Sequence, residues 1–408
     1  MNRVLLIGLL SILALTTCID PYTLKLDNYE SLLVVDALVT QESIPYTIKL
    51  SRTFQDRDTL PDMVTNALVN VEDSQGNVTV FNEVSPGIYK SDPASFTGQV
   101  GEIYTLNIKT SNGLEYESDP CVMTEVPEVD SIYFAYDKEF FDNGTEEEEG
   151  IRIFVDAENK GGNSKYFRWE FEEVWKFRTP YPEAYEYLGN GVVLPIEVEN
   201  HVCWTNNYSS EILIQSTDQQ VSNRIYKKPL NFIASGRSDR LMVQYSILVK
   251  QYSVSKSEFE FWSNLKQVNE SGGDIFEKQP FSVVGNIHCV NRQNQKVLGY
   301  FQVSDVKQKR RYITYMDVYK LGIPSYYYTC EPIEIGPIDY VDPEGIGAQN
   351  PPSFDYIYQT YTGRGYVFVY PLYRELALER LAFATKICSD CSLTGDPQKP
   401  DWWVDIIY

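Results

Sequence analysis

Hydrophobic positions in this chain recur mostly two apart, the spacing of half-buried strands. Leu32–Val39 reads as a buried strand, and Tyr46–Ser51 alternates cleanly behind it. Residues 67–73 and 78–82 predict a hairpin across Ser74-Gln75-Gly76-Asn77. Strands are also expected from Gly87 and over Gly101–Ile108, the latter turned back at Ser111-Asn112-Gly113-Leu114. About seven short strands at this spacing predict an Ig-like or prealbumin-like β-sandwich over 29–125. The Pro-flanked segment Glu125–Glu128 is the expected boundary. Residues 128–408 read as a larger, mainly β domain with one or two short helices. Ile151–Ala157 and Tyr166–Lys176 alternate as strands, and 283–287 with 297–301 look like a strand pair. Ser255–Asn269 breaks the pattern, with Phe261, Leu265 and Val268 on one helical face and Gly272-Gly273 as a stop. The periodicity of Leu372–Thr385 suits helix or strand equally.

The first residues form a different kind of segment. Arg3 precedes an apolar run, Val4–Leu15, too short to span a bilayer. It ends in Leu15-Thr16-Thr17-Cys18, which resembles a bacterial lipobox. Residues 1–17 are therefore expected to be a lipoprotein signal peptide, Cys18 the lipid-bearing residue and 18–28 a polar tether. No later apolar run has the length of a transmembrane helix, so the expected membrane attachment is the lipid alone.

Charge narrows the partners. A net charge of −22 and a pI near 4.6 argue against nucleic acid, because there is no basic face to displace its counterions. Lys307–Arg311 is the one basic cluster and reads as a solvated turn; the acidic stretch 142–150 (DNGTEEEEG) reads as a solvated loop rather than a calcium site, since EF-hand alternation is missing. No cofactor is expected. There are only two histidines, His201 and His288, each close to a cysteine in a β context that suits packing better than catalysis. No G-x-S-x-G, H-E-x-x-H or P-loop occurs.

After Cys18 six cysteines remain: Cys121, Cys203, Cys289, Cys330, Cys388 and Cys391. An even number suits disulfides in an exported chain, and their pairing stays open. Cys388-Ser389-Asp390-Cys391 has no second C-x-x-C to complete a zinc site, so a structural disulfide, local or to another loop, is expected there. With 31 tyrosines the chain is rich in rings suited to half-wet surfaces. They are densest over 319–366, where Tyr326, Tyr327, Tyr328, Tyr356, Tyr358 and Tyr361 form the candidate binding surface. A loop that packs its own tyrosines is the competing reading.

Several words of the chain are familiar in sequence: residues 32–53 (LLVVDALVTQESIPYTIKLSRT), 126–134 (VPEVDSIYF), 261–288 (FWSNLKQVNESGGDIFEKQPFSVVGNIH), 297–301 (VLGYF) and 388–403 (CSDCSLTGDPQKPDWW). In this order they resemble a family of Bacteroidota outer-membrane lipoproteins known as domain of unknown function 4249. The resemblance implies an outer-membrane, cell-surface lipoprotein beside a TonB-dependent, SusC-like transporter or another barrel complex, and no catalytic residues. The function expected is non-catalytic ligand capture or an accessory role. An envelope assembly factor and a surface hydrolase of glycans or peptides are the alternatives.

Overall fold

In the computed structural model, residues 31–53, 61–141, 144–159, 164–220, 222–271, 283–323, 330–339 and 352–407 are described. The protein is mainly β, as the alternation predicts. Its first body is an eleven-stranded sheet that curls into a nearly closed barrel. From one edge the path runs Ile287–Cys289, Glu115–Ser118, Ile103–Lys109, Leu68–Asp73, Val78–Ser85, Ile88–Lys90, Thr47–Arg52, Leu33–Val39 and Val297–Val303. The predicted turn at 74–77 is present: Gly76 takes φ +82°, and Asp73 Oδ1 accepts from the Gln75 and Asn77 amides. One pleat face carries the core, with Leu33, Val35, Ala37 and Val39 packed against Ile48, Leu50, Leu106 and Phe301.

The predicted sandwich of 29–125 is therefore completed by distant residues. Val297–Val303 adds parallel to Leu33–Val39, while Ile287–Cys289 caps the opposite edge. These two segments were expected to pair as strands. Instead they flank the seam of the barrel, joined where Asn286 accepts from the Phe301 amide (2.8 Å) and donates to its carbonyl (3.0 Å). Closure needs glycine. A Cβ on Gly285 would fall 1.8 Å from the Gly299 carbonyl, and one on Gly299 (φ +99°) would fall 1.8 Å from the Val35 carbonyl.

The second body is a two-sheet sandwich. Val129–Phe141, Glu146–Glu158 and Arg224–Ala234 form one antiparallel sheet. Tyr166–Arg178 is central to the other, between Val202–Tyr208 and Gln244–Ser253, with Val306–Thr314 beyond and Leu213–Ser216 also paired to it. Their facing residues share one core, including Ile153, Val155 and Ile233 against Trp169, Ile247 and Val249. Glu173 sits inside this core, 1% exposed. It accepts from Tyr245 Oη (2.7 Å), Asn231 Nδ2 (2.8 Å) and Asn207 Nδ2 (2.9 Å), which satisfy a carboxylate otherwise too costly to bury. The helix predicted over 255–269 spans Lys256–Ser271, with Phe261 inward against Tyr300.

Two charged segments read as loops are strands. Glu146–Glu149 open the Glu146–Glu158 strand, and the two-residue period splits them between its faces. Glu146 and Glu148 pair with Arg237, and Glu147 and Glu149 with Lys138. Lys307–Arg311 lie in Val306–Thr314, where Lys307 meets Glu128, Lys309 donates to the Asp130 carbonyl and Arg310 covers the Trp402 ring. Partners on neighbouring segments engage charges that look solvated when the chain is read alone.

A third, smaller module completes the fold. Residues 372–385 are strand: Tyr366–Arg374 and Ala377–Thr385 form a hairpin, with Ile333–Ile335 on the far side of Ala377–Thr385. The helix Phe354–Gly363 and the hairpin Tyr185–Gly189/Val192–Pro195 pack onto this sheet.

Candidate functional site

The tyrosine-rich segment forms much of this module. Ser353 caps the helix by accepting the Tyr356 amide (3.2 Å), and Asp355 adds negative charge to the first turn, where the helix dipole favours it. Helical spacing then divides the tyrosines. Tyr361 stacks on Phe383 (4.9 Å, 18°), and Tyr358 lies against Tyr187 (4.8 Å) and Phe368. Tyr358 and Tyr361 are thus partly buried and packed against the module's core, in place of the open binding surface expected of them. Tyr356, on the outer face, is 52% exposed. Tyr326, Tyr327 and Tyr328 lie outside the described residues.

Asp355 also fixes the neighbouring hairpin. Its Oδ1 accepts from Tyr187 Oη (2.7 Å) and the Asn190 amide (2.8 Å). Burial, with the Asp355 carboxylate second, pushes the Tyr187 hydroxyl up to about 12, so it stays a donor. Exposed apolar groups occur on each of these elements: Leu188 and Val192 on the hairpin, Tyr356 on the helix, Tyr373 in the strand Tyr366–Arg374 and Leu376 in the turn after it. Leu376 is 98% exposed.

On another side of the module lies an open cleft of about 460 Å³. Ile196, Glu197 and Glu199 form one wall, Lys386 and Asp390 another, and Glu183 closes it. Four carboxylates to one ammonium make it a place for cationic or hydroxyl-rich ligands, which donate hydrogen bonds. Its floor is fixed covalently. Cys203–Cys391 ties the 3₁₀ turn Cys391–Leu393 to the sandwich strand Val202–Tyr208, and Cys330–Cys388 ties the preceding turn to residue 330. The Cys391 amide also donates to the Asn200 carbonyl (2.9 Å).

Cys388 and Cys391 are both oxidised, each to a distant partner. Cys121 and Cys289, also disulfide candidates, are free thiols. They pack on the barrel core, where the strand ladder holds Cys289 opposite Tyr116 and Cys121 opposite Tyr104. Burial pushes the Cys121 thiol up to about 12, so it is a poor nucleophile. The histidines fall in different bodies: His288 on the barrel edge, 3.9 Å from Asp119, and His201 at the sandwich. Among the described residues, no group of three or more His, Cys, Asp or Glu is arranged to hold a metal ion.

Residues 19–310 match the family model described as Domain of unknown function (DUF4249), and the chain belongs to that family. The match covers the barrel and most of the sandwich; the sheet and helix of the tyrosine-rich module lie beyond it. No curated protein matches the chain. Among solved structures, trypsin-activated alpha-2-macroglobulin from Escherichia coli aligns with 11% identity and a TM-score of 0.17. That alignment covers 56% of this chain and 15% of the macroglobulin.

Proposed function

We propose that this protein is a non-catalytic capture or accessory lipoprotein of a Bacteroidota outer membrane, anchored by a lipid on Cys18. In this reading it works beside a TonB-dependent, SusC-like transporter, with the cell surface as its expected face. The observation that carries the reading is the disulfide-clamped module. It offers a partner exposed apolar side chains such as Leu188 and Leu376, and offers a ligand the acidic cleft beside Lys386. Rigid scaffolds that display apolar and tyrosine side chains favour binding, because little side-chain entropy is lost on contact. Among the described residues no helix is long and apolar enough to cross a membrane, and the reading gives the anchor to the lipid.

The test is co-purification from mildly solubilised outer membrane. A SusC-like barrel is expected to accompany the wild-type chain and to be lost from Leu188→Asp/Leu376→Asp, a pair whose exposure leaves folding intact. Retention of the barrel by the double variant removes the docking assignment. Cys18→Ala is expected to leave the precursor uncleaved, and normal processing of that variant removes the lipid. Turnover of a glycan or peptide by the purified protein would replace the capture reading with a hydrolase.

A further inference from the structure

The barrel meets the sandwich at a seam with a pocket of its own. Val297–Val303 ends in the barrel and Val306–Thr314 begins in the sandwich, so only two residues join the bodies here. The first turn of the Lys256–Ser271 helix covers the junction. Beneath it lies a cavity of about 170 Å³, lined by Cys121, Ser257, Glu258, Asn286 and Tyr300 among others. A space of this size holds several waters or a molecule of a few heavy atoms.

Most polar groups in the wall are already engaged. Ser257 Oγ and Tyr300 Oη bond each other (3.1 Å), and Asn286 is used by Phe301 and by the Cys121 sulfur. Glu258 is the exception. Ser255-Lys256-Ser257-Glu258 has capping-box spacing, and Ser255 Oγ does accept the Glu258 amide (3.1 Å). The reciprocal bond from the Glu258 carboxylate is not made among the described residues. The side chain lines the cavity instead, 2% exposed, with one long hydrogen bond from Trp262 Nε1 (3.4 Å).

The charge acting on Glu258 is that of Arg168, buried between the Tyr252 ring (4.7 Å) and the Trp262 ring (4.8 Å), while Lys250 stands opposite Glu170 on the neighbouring strand. The ion pair of Arg168 is with Glu170, at 2.6 Å. The Arg168 guanidinium is thus directed at Glu170, while Glu258 lines the cavity. Burial pushes the Glu258 carboxyl up to about 7, against the pull of Arg168.

We infer that this seam pocket binds a small primary ammonium compound, with Glu258 as its counter-ion. An ammonium supplies a positive charge and three donors, matched by the carboxylate and the hydroxyls of Ser257 and Tyr300 that line the cavity. A divalent metal is a poorer fit, since among the described residues no group of three or more His, Cys, Asp or Glu is placed to hold one. The pocket is separate from the module and cleft of the proposed function, so either assignment can fail alone.

Binding depends on pH through Glu258. The ionisable groups around it are Arg168 and Glu170 on the central sandwich strand, Tyr252 and Lys250 on the next, Asp119 and Cys121 at the barrel rim, and Tyr300. His288 lies beyond Asp119 on the exposed side. The cation binds the ionised carboxyl, so binding releases a proton and strengthens as pH rises. Between pH 6 and 8 the competent fraction, and with it the affinity, increases roughly tenfold. Calorimetric titration of the full chain with ethanolamine, and with the neutral isostere ethylene glycol, is the test. Ethanolamine should bind at least about tenfold more tightly, as expected for a charge-assisted bond. It should release protons near pH 7, seen by comparing two buffers, and both effects should vanish in folded Glu258→Gln. Equal affinity for the two probes, no ethanolamine binding, no proton release, or binding retained by Glu258→Gln would each overturn the assignment. The proton measurement uses the wild-type chain, so it decides even where the variant does not fold.

Discussion

In the barrel 22 side chains share one buried core, whereas the tyrosine-rich module gathers six around its helix and four more on the other face of its sheet. The covalent links are distributed the other way. Both disulfides end in the module's turns at Cys388 and Cys391, while the barrel's Cys121 and Cys289 stay reduced. A body that buries enough apolar surface needs no cross-link. A small sheet that spends part of its apolar side chains on an exposed rim gains its rigidity from sulfur.

The comparison can be broken most forcefully from the barrel side. Phe301 is wholly buried on the closing strand, and Phe301→Ala should cost about 3–5 kcal/mol. Urea unfolding followed by far-UV circular dichroism measures it, and a loss under 1 kcal/mol would show that the seam carries little of the barrel's stability. Next in size, bridge for bridge, is the module. Reduction, or Cys203→Ser with Cys330→Ser, should remove about 2–4 kcal/mol per bridge there, while Cys121→Ser and Cys289→Ser stay within about 1 kcal/mol. Hydrogen exchange resolved by segment checks it: protection should fall over 354–385 and persist over 33–109. Equal loss in both regions would mean that the two bodies unfold as one unit.

The smallest effect separates tyrosines on one helix. Tyr361→Ala removes a ring stacked on Phe383 and should cost about 1–3 kcal/mol, while the outward Tyr356→Ala stays within about 0.5 kcal/mol. Thermal melts of both variants decide this. Equal effects would return Tyr361 to the surface.

How far these differences were legible in the sequence varies by region. Leu33–Val39, Tyr46–Ser51, the turn at Gly76 and the helix over 255–269 follow from local periodicity, and the structure has them. Phe354, Ile357, Tyr358 and Tyr361 carry the same kind of signal, a 3.6-residue stripe, hidden by treating tyrosine as a surface residue. Other features had no local signal. The addition of Val297–Val303 to Leu33–Val39 is a long-range pairing, and the choice of Cys203 for Cys391 depends on where two distant turns meet. The glutamates at 146–149 look like loop until Lys138 and Arg237 are placed opposite them. Glu258 stands at capping-box spacing from Ser255, and only the fold shows its carboxylate lining a cavity.

The closing strand also imposes an order in time. At synthesis rates of about 5–20 residues per second, Leu33–Val39 waits on the order of tens of seconds for Val297–Val303 to emerge. Through that interval its outer edge has no partner, and pairing across such a separation in sequence is slow. An unpaired edge is a template for another chain. The barrel is therefore the last part of the early sequence to be finished, and a chain cut short of residue 297 keeps an edge on which a second copy can add its own strand.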